Sequence, residues 1–351
     1  KARKDNSTII FASFIKRHFA YAAKVAEKFD ELVFLSPAGS KIPQGYQESM
    51  SSTLKNKFPN LIFSSEDNII LNKGDIALDF DSFNGIRDFG EHLCLTYQNR
   101  LFDELPFDCP DGFSGFRKKA EKFLPNYFHE CLLPFDKATE LYISEYFSGS
   151  RPRNYFNTRN QMIGEGFSTR FSDLLSWGFV DVKYLFNKTK DYEDQFGSNK
   201  STYWIIFELL WREFFYWHYQ KHETLYFSEN GLRGVKDFSE VKKYTIDELL
   251  LSDSPTFFKC ALLELRADGF LSNRVRQIFA SIWLNDLGLP WRSGALLFED
   301  HLIDYDVYSN YGNWMYVSGV GNDPRDRKFN IKWQSEKYDP NMKFQNLWLN
   351  E

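Results

Sequence analysis

Cysteine is scarce in this chain: Cys94, Cys109, Cys131 and Cys260 are the only four in 351 residues. No two form a CxxC pair, so the spacing suggests neither a zinc site nor a disulfide framework. Long apolar runs are missing as well. The longest, Tyr203–Tyr219, is broken by Glu208, Arg212, Glu213 and His218, which excludes an ordinary membrane span. No secretory h-region is visible, and a soluble intracellular protein is the expectation, its compartment open. Lys1 stands where a methionine would start, which reads as a processed or partial form. An excess of positive charge is also lacking. The formal net charge is −5, which argues against a protein coated in nucleic acid but leaves room for a local basic strip. No GxGxxG follows a strand-like run, and there is no internal repeat.

What the chain has in quantity is aromatic residues, 18% of the total, with 36 Phe, 19 Tyr and 9 Trp. Large cores explain such richness before any cofactor does, and the length suffices for two domains. Apolar runs at 7–13, 31–37, 60–65 and 92–97 read as strands, with helix-like stretches at 15–29 and 47–58. This alternation predicts a small, reduced N-terminal parallel α/β sheet domain over 1–97. Pro106, Pro110, Pro125 and Pro134 punctuate 98–150, read as an interdomain linker. Helical periodicity dominates 151–351, at 172–190, 201–222, 256–287 and 294–316. The expected fold class is therefore α+β with two domains, the second all-α.

Four constellations invite a chemical reading. In LIDYDVYSNYGNWMYVSGVGNDPR (302–325), Asp304, Asp306, Asn310 and Trp314 fall within eleven positions of an apolar region. Two carboxylates and an amide there need partners or a ligand, and the tryptophan suits a flat aromatic one. Ser168, Thr169 and Ser172 flank Arg170 and Phe171 ahead of an apolar helix; they read either as plain caps or as a phosphate-holding set. In 201–222, helical spacing puts Trp204, Glu208, Trp211, Arg212 and Phe215 on one face. Glu208 is then either one half of a solvated pair with Arg212 or a carboxylate offered to a ligand. His218 and His222 have metal-pair spacing, but with no HExxH and no third ligand a surface pair is expected, and no metal. In 269–292, Asn273, Arg276 and Gln277 share a helical face and Arg274 points elsewhere, with Trp291 just beyond Pro290. Arg276 wants a carboxylate, and Asp304 or Asp306 is available; the pair is either structural or the polar floor under a heterocycle.

In order, TRNQMIGEGFSTRFS, STYWIIFELLWREFF, GFLSNRVRQIFAS, GLPWRSG, LIDYD and SNYGNWMYVSGVGNDPR resemble the motifs of the photolyase/cryptochrome flavin domain, in the DASH-type spelling. The resemblance covers about 151–351, with a fainter one at 95–122. It implies an all-helical FAD-binding domain that splits cyclobutane pyrimidine dimers by light-driven electron transfer from reduced FAD, preferably in single-stranded DNA. It implies that Ser168, Thr169 and Ser172 bind the FAD pyrophosphate with help from Arg212. Asp304 and Asp306 face the flavin and adenine side, Arg276 is the partner of Asp304, and Asn310 lies beside flavin N5. Glu208 and Asn273 line the lesion pocket, Trp211 and Tyr316 lie near the flipped dimer, and Trp314 and Trp291 are the inner electron-transfer tryptophans. Gln277 and Asn273 stand where (6-4) photolyases carry histidines, which favours cyclobutane dimers. Arg151, Arg153, Arg274, Arg325, Arg327 and Lys328 are the phosphate-holding cations, and a monomer is expected.

Three departures from the family pattern stand out. The N-terminal region is short and its opening lacks the usual WFR-DLR motif, which puts an antenna chromophore in doubt. TFFKCALLEL (256–265) replaces the usual GYPxVDAxMREL. The outer tryptophan of the electron chain is replaced, with Phe238 near its register and Tyr244 close by. The alternatives to a repair enzyme are a blue-light sensor that binds FAD and a partner without repair, and a nucleic-acid-binding protein that has lost its flavin.

Overall fold

The computed structural model describes four strands within the first 72 residues. From 99 to 349 it describes all but 135–136, 165, 177, 229, 234–240 and 323–327. Strands β1 (Ser7–Ile10), β2 (Glu31–Leu35), β3 (Leu61–Ser64) and β4 (Ile69–Asn72) form one sheet in the order β1-β2-β4-β3. β1 and β2 pair in parallel, whereas β4 runs antiparallel to both β2 and β3. The sheet is thus mixed, which corrects the expected all-parallel one. Only four residues, 65–68, join β3 to β4, enough for a hairpin but too few for the crossover that parallel neighbours need. The strand expected at 92–97 and the helices expected at 15–29 and 47–58 lie outside the described residues, as do Phe238, Arg325 and Arg327.

From residue 99 onward the described residues contain helices and no strand. The segment read as a linker contributes α1 (Phe113–Ala120) and α2 (Lys137–Ser148), and Phe113, Phe116, Ile143 and Tyr146 enter a core shared with residues 171–215. Glu213, 1% exposed, explains part of this attachment. Its carboxylate accepts from the backbone N–H of Leu101 (3.0 Å) and Phe102 (3.3 Å) and from Trp217 Nε1 (2.8 Å). Asn99 adds a bond from its side chain to the Val180 carbonyl (2.9 Å) and accepts from Val182 N–H. Such buried bonds hold the stretch against the helices, so the prolines punctuate it without loosening it.

The next helices are α3 (Arg151–Thr158), α4 (Phe171–Ser176), α5 (Val182–Phe196) and the 23-residue α6 (Lys200–His222). After a 3₁₀ turn come α7 (Ile246–Leu251), α8 (Thr256–Asp268), α9 (Asn273–Asn285), α10 (Trp291–His301), α11 (Val307–Ser318), α12 (Ile331–Tyr338) and α13 (Lys343–Leu349). Helical periodicity ran through 256–287 and 294–316, yet each stretch is two helices. Gly269 ends α8 at φ 63°, a left-handed conformation that costs glycine little, and Ser272 then caps α9 by accepting from Val275 N–H. Asp306 opens α11 by accepting from Ser309 N–H at 2.8 Å. Both breaks put polar residues where an unbroken helix would have carried the chain past them. His218 is a correction: it is buried against Phe214 and Tyr226, and burial, then His222, lowers its pKa to about 3. The spacing alone did not reveal that this face of α6 points inward.

Two apolar clusters result. One joins residues between 101 and 215 with Tyr308; the other gathers Met162 with residues between 226 and 348, including Trp283, Trp291 and Trp314.

Candidate functional site

A cavity of about 310 Å³ opens where the two clusters meet. Leu175, Ile205 and Leu209 line it from one side, and Ala280, Phe298, Leu302 and Trp314 from the other. The polar residues singled out from the sequence reach the wall from five places in the chain. The turn before α4 supplies Ser168 and Thr169, with Ser172 on the helix; α6 supplies Glu208 and Arg212; α9 supplies Asn273, Arg276 and Gln277. The break before α11 supplies Asp304 and Asp306, and α11 itself supplies Asn310. Twelve residues singled out from the sequence thus share one wall, counting Trp314.

Local chemistry explains how each is held. Ser168 Oγ accepts from Arg170 N–H (3.2 Å) and Thr169 Oγ1 from Phe171 N–H (3.3 Å). The capping and phosphate readings therefore coexist, because each hydroxyl keeps its own proton to donate. Arg276 Nη2 bridges both oxygens of Asp304, at 2.9 and 2.8 Å, and its Nε donates to the Leu271 carbonyl. The Asp304 side chain is 2% exposed, so this pair is what allows a carboxylate there. Asn310 donates to the Ala295 carbonyl at 3.0 Å. Behind the wall, Asp173 is held by Arg170 (2.6 and 3.0 Å); burial, then Asp304, raises its pKa to about 6 despite that partner.

Glu208 does not pair with Arg212. Its Oε1 accepts from Arg159 Nη2 and from Trp204 Nε1 (3.0 Å), and burial raises its pKa above the ordinary carboxylate value, against the pull of Arg159 and Trp204. Arg212 instead donates Nη1 to the Asn99 carbonyl at 2.8 Å. Arg159 and Trp204 had no assigned role, although the i, i+4 spacing of Trp204 and Glu208 was visible.

Other expected residues lie off the wall. Trp211 stacks face to face on Phe113 at 3.6 Å and meets Tyr316 edge-on at 5.6 Å. Arg274 donates to Asn160 Oδ1 (2.8 Å) and lies over Tyr338. Trp291 is fully buried, edge-on to Tyr311. One turn beyond it, Gly294 lets the Trp314 ring rest on the α10 backbone, since a Cβ there would sit 2.2 Å from that ring. Trp314 also meets Trp283 at 6.1 Å, and Trp283 meets Tyr244 at 5.5 Å. Arg325 falls outside the described residues.

The donor set fits a flavin dinucleotide. Arg212 Nη2 and Trp314 Nε1 are buried without a protein partner among the described residues. Hydroxyls and a guanidinium suit a diphosphate, while carboxylates, an amide and an indole suit the edges and faces of ring systems. Among the described residues no group of three or more His, Cys, Asp or Glu could hold a metal ion, and no helix is long and apolar enough to cross a membrane.

A family profile described as the FAD binding domain of DNA photolyase matches residues 204–351. The chain is 36% identical over 298 residues to a protein named cryptochrome DASH from Vibrio parahaemolyticus, covering 75% of this chain and 67% of that protein. The chain belongs to the photolyase/cryptochrome family. A second cryptochrome DASH, from Idiomarina loihiensis, is 38% identical over 291 residues, covering 73% of this chain and 65% of its own length. Among solved structures, the Synechocystis cryptochrome matches at a TM-score of 0.63 and 36% identity, over 72% of this chain and 62% of that one. A class III photolyase from Agrobacterium tumefaciens, at 23% identity and a TM-score of 0.52, shares the fold. The chain spans about two thirds of the length of the DASH relatives. FAD is its cofactor.

Proposed function

We propose that the chain is a light-driven DNA-repair flavoprotein that splits cyclobutane pyrimidine dimers, with a preference for single-stranded DNA. One observation carries this reading: Glu208, Asn273 and Gln277 line the same cavity as the hydroxyls, Arg212, Asp304, Asp306 and Asn310. A dimer flipped into that cavity would sit beside the cofactor, and flipping costs least in single strands. FAD, bound in reduced form, supplies the electron for ring splitting when excited by blue light.

The chain's own residues do the rest. Ser168, Thr169, Ser172 and Arg212 would hold the diphosphate, Asp304 and Asp306 would orient the rings, and Asn310 would offer its amide to the flavin. Glu208, its pKa raised by burial, hydrogen-bonds a carbonyl of the dimer and stabilises the charge that develops there. Asn273 and Gln277 offer amides at the rim. Trp211, Tyr316 and Arg274 act on the DNA outside the cavity, and Arg325 adds a phosphate-holding charge. Trp314 and Trp291 relay electrons inward, and Tyr244, in line with Trp283, takes the place of the missing outer tryptophan.

A second reading is a blue-light sensor without repair. It is favoured by the engagement of Glu208 with Arg159 and Trp204, which leaves less of the carboxylate for a substrate. The deciding experiment incubates chemically reduced protein with a thymine dimer in an oligonucleotide, single-stranded or duplex, under blue light and in darkness. Light-dependent recovery of thymines, reduced roughly 10- to 100-fold in Glu208→Ala as expected for one charge-assisted hydrogen bond, supports repair. No recovery in a protein whose spectrum shows bound FAD refutes repair and brings the sensor reading forward.

A further inference from the structure

Arg100 lies in the stretch of fainter resemblance, 95–122, but has no role assigned above. It is 4% exposed, yet among the described residues it has no ion pair. Its guanidinium lies 3.7 Å from the Tyr216 ring centroid and 5.6 Å from that of Tyr308, and its Nη1 donates to the Asn99 carbonyl at 3.1 Å. Among the described residues Nε and Nη2 have no hydrogen-bond partner. Arg212, one helical turn before Tyr216, donates Nη1 to the same carbonyl at 2.8 Å and also keeps Nη2 unpartnered. Two guanidinium groups, Arg100 buried and Arg212 half-buried, therefore converge on a single oxygen, with three nitrogens unsatisfied among the described residues.

The carboxylates nearby are committed elsewhere. Glu213 accepts from Leu101, Phe102 and Trp217, Asp306 from Ser309, and Asp181 from Lys183 and Leu132. Burial, and after it the charge of Arg100, lowers the Arg212 pKa to about 10, against the pull of those carboxylates. Like charges side by side in a low-dielectric interior raise the affinity of either for an anion. Arg212 lines the cavity together with Ser168, Thr169 and Ser172, and Arg100 stands behind it.

We propose that Arg100 is a positioning residue for a diphosphate, acting through Arg212: it aims the Arg212 fork from behind and supplies a second positive charge to the phosphate end of the cavity. This rests on FAD occupying the cavity. The chemical class recognised is a dinucleotide diphosphate, as distinct from the ring system.

The test titrates the flavin-stripped full chain with FAD and, separately, with riboflavin, which has the ring but no phosphate. Arg100→Gln should weaken FAD binding about tenfold or more and leave riboflavin unchanged, Arg100→Lys should restore most of the loss, and inorganic pyrophosphate should compete with FAD in the unsubstituted chain. Should Arg100→Gln fail to fold, Arg100→Lys and the pyrophosphate competition decide, the Lys variant, which keeps the charge, then being expected to bind FAD with an unchanged dependence on ionic strength. Equal weakening for FAD and riboflavin marks a packing role and overturns the proposal, as does unchanged FAD binding or an absence of competition by pyrophosphate. An unsubstituted chain that binds no FAD would instead refute the occupancy on which the proposal rests.

Discussion

Glu264 on α8 is a carboxylate the proposed reaction does not use, and its substitution gives a sharp test of the electrostatics behind the cavity. It is 6% exposed and its Oε2 has no hydrogen-bond partner among the described residues. Burial, then Asp268, raises its pKa from 4.5 to about 8, with Arg276 and Arg170 only partly opposing. Between pH 4.5 and about 8 the folded state therefore keeps a proton that the unfolded chain has released. The contribution to stability is fully present below pH 4.5 and declines as pH rises, by about 1.4 kcal/mol per unit, until it levels near pH 8. Glu264→Gln replaces the acid with an amide that does not titrate. Any cost of burying the amide is independent of pH, so the stability of the variant relative to the original should rise by roughly 3 kcal/mol between pH 5.5 and 7.5. For a helical unit of this size that is a gain of roughly 6 °C or more in relative Tm. Glu299 and Asp173, with pKa values raised to about 7 and about 6, titrate in both proteins and cancel in the difference. Scanning calorimetry of the flavin-loaded protein at pH 5.5, 6.5 and 7.5 makes the measurement. A difference in Tm that does not change with pH would refute the reasoning.

The Arg276–Asp304 pair should respond asymmetrically. Arg276→Ala leaves a carboxylate that is 2% exposed without its partner and should cost about 3 kcal/mol or more in urea denaturation. Asp304→Ala leaves a guanidinium that is 27% exposed and can still reach water, so the loss should be smaller. Gly294→Ala would gain about 1 kcal/mol in helix propensity but drive a methyl into the Trp314 ring. Overpacking of a buried aromatic costs about 1–3 kcal/mol, so a net loss is expected, with a changed near-UV dichroism from the displaced indole. An unchanged melt would mean that the α10–Trp314 contact is looser than described.

Much of the site was legible because its residues stand in compact polar runs inside apolar helices, and burial of such groups demands partners. The run Asp304–Trp314, the Ser168–Ser172 cluster and the face of α9 were found that way, and the structure brings them to one cavity. The partner of Glu208 was not legible. Arg159 lies 49 positions away, at the end of a different helix, and helical spacing offered the nearer Arg212 instead. Arg100 was invisible for the same reason: no local pattern marks a cation whose partner is a carbonyl shared with a residue 112 positions on.

Composition, periodicity and motif order by themselves determined the helical character of 151–351, the family and the identity of twelve cavity-lining residues. Those properties reside in neighbours three or four apart along a helix and in the residue types at its ends. Only the tertiary structure decided that residues 99–148 pack into the helical core, that the helical stretches break at Gly269 and ahead of Asp306, and which charges pair. Ion pairing and burial are set by distances between segments far apart in the chain, and the side chains of one helix cannot specify what another helix brings against them.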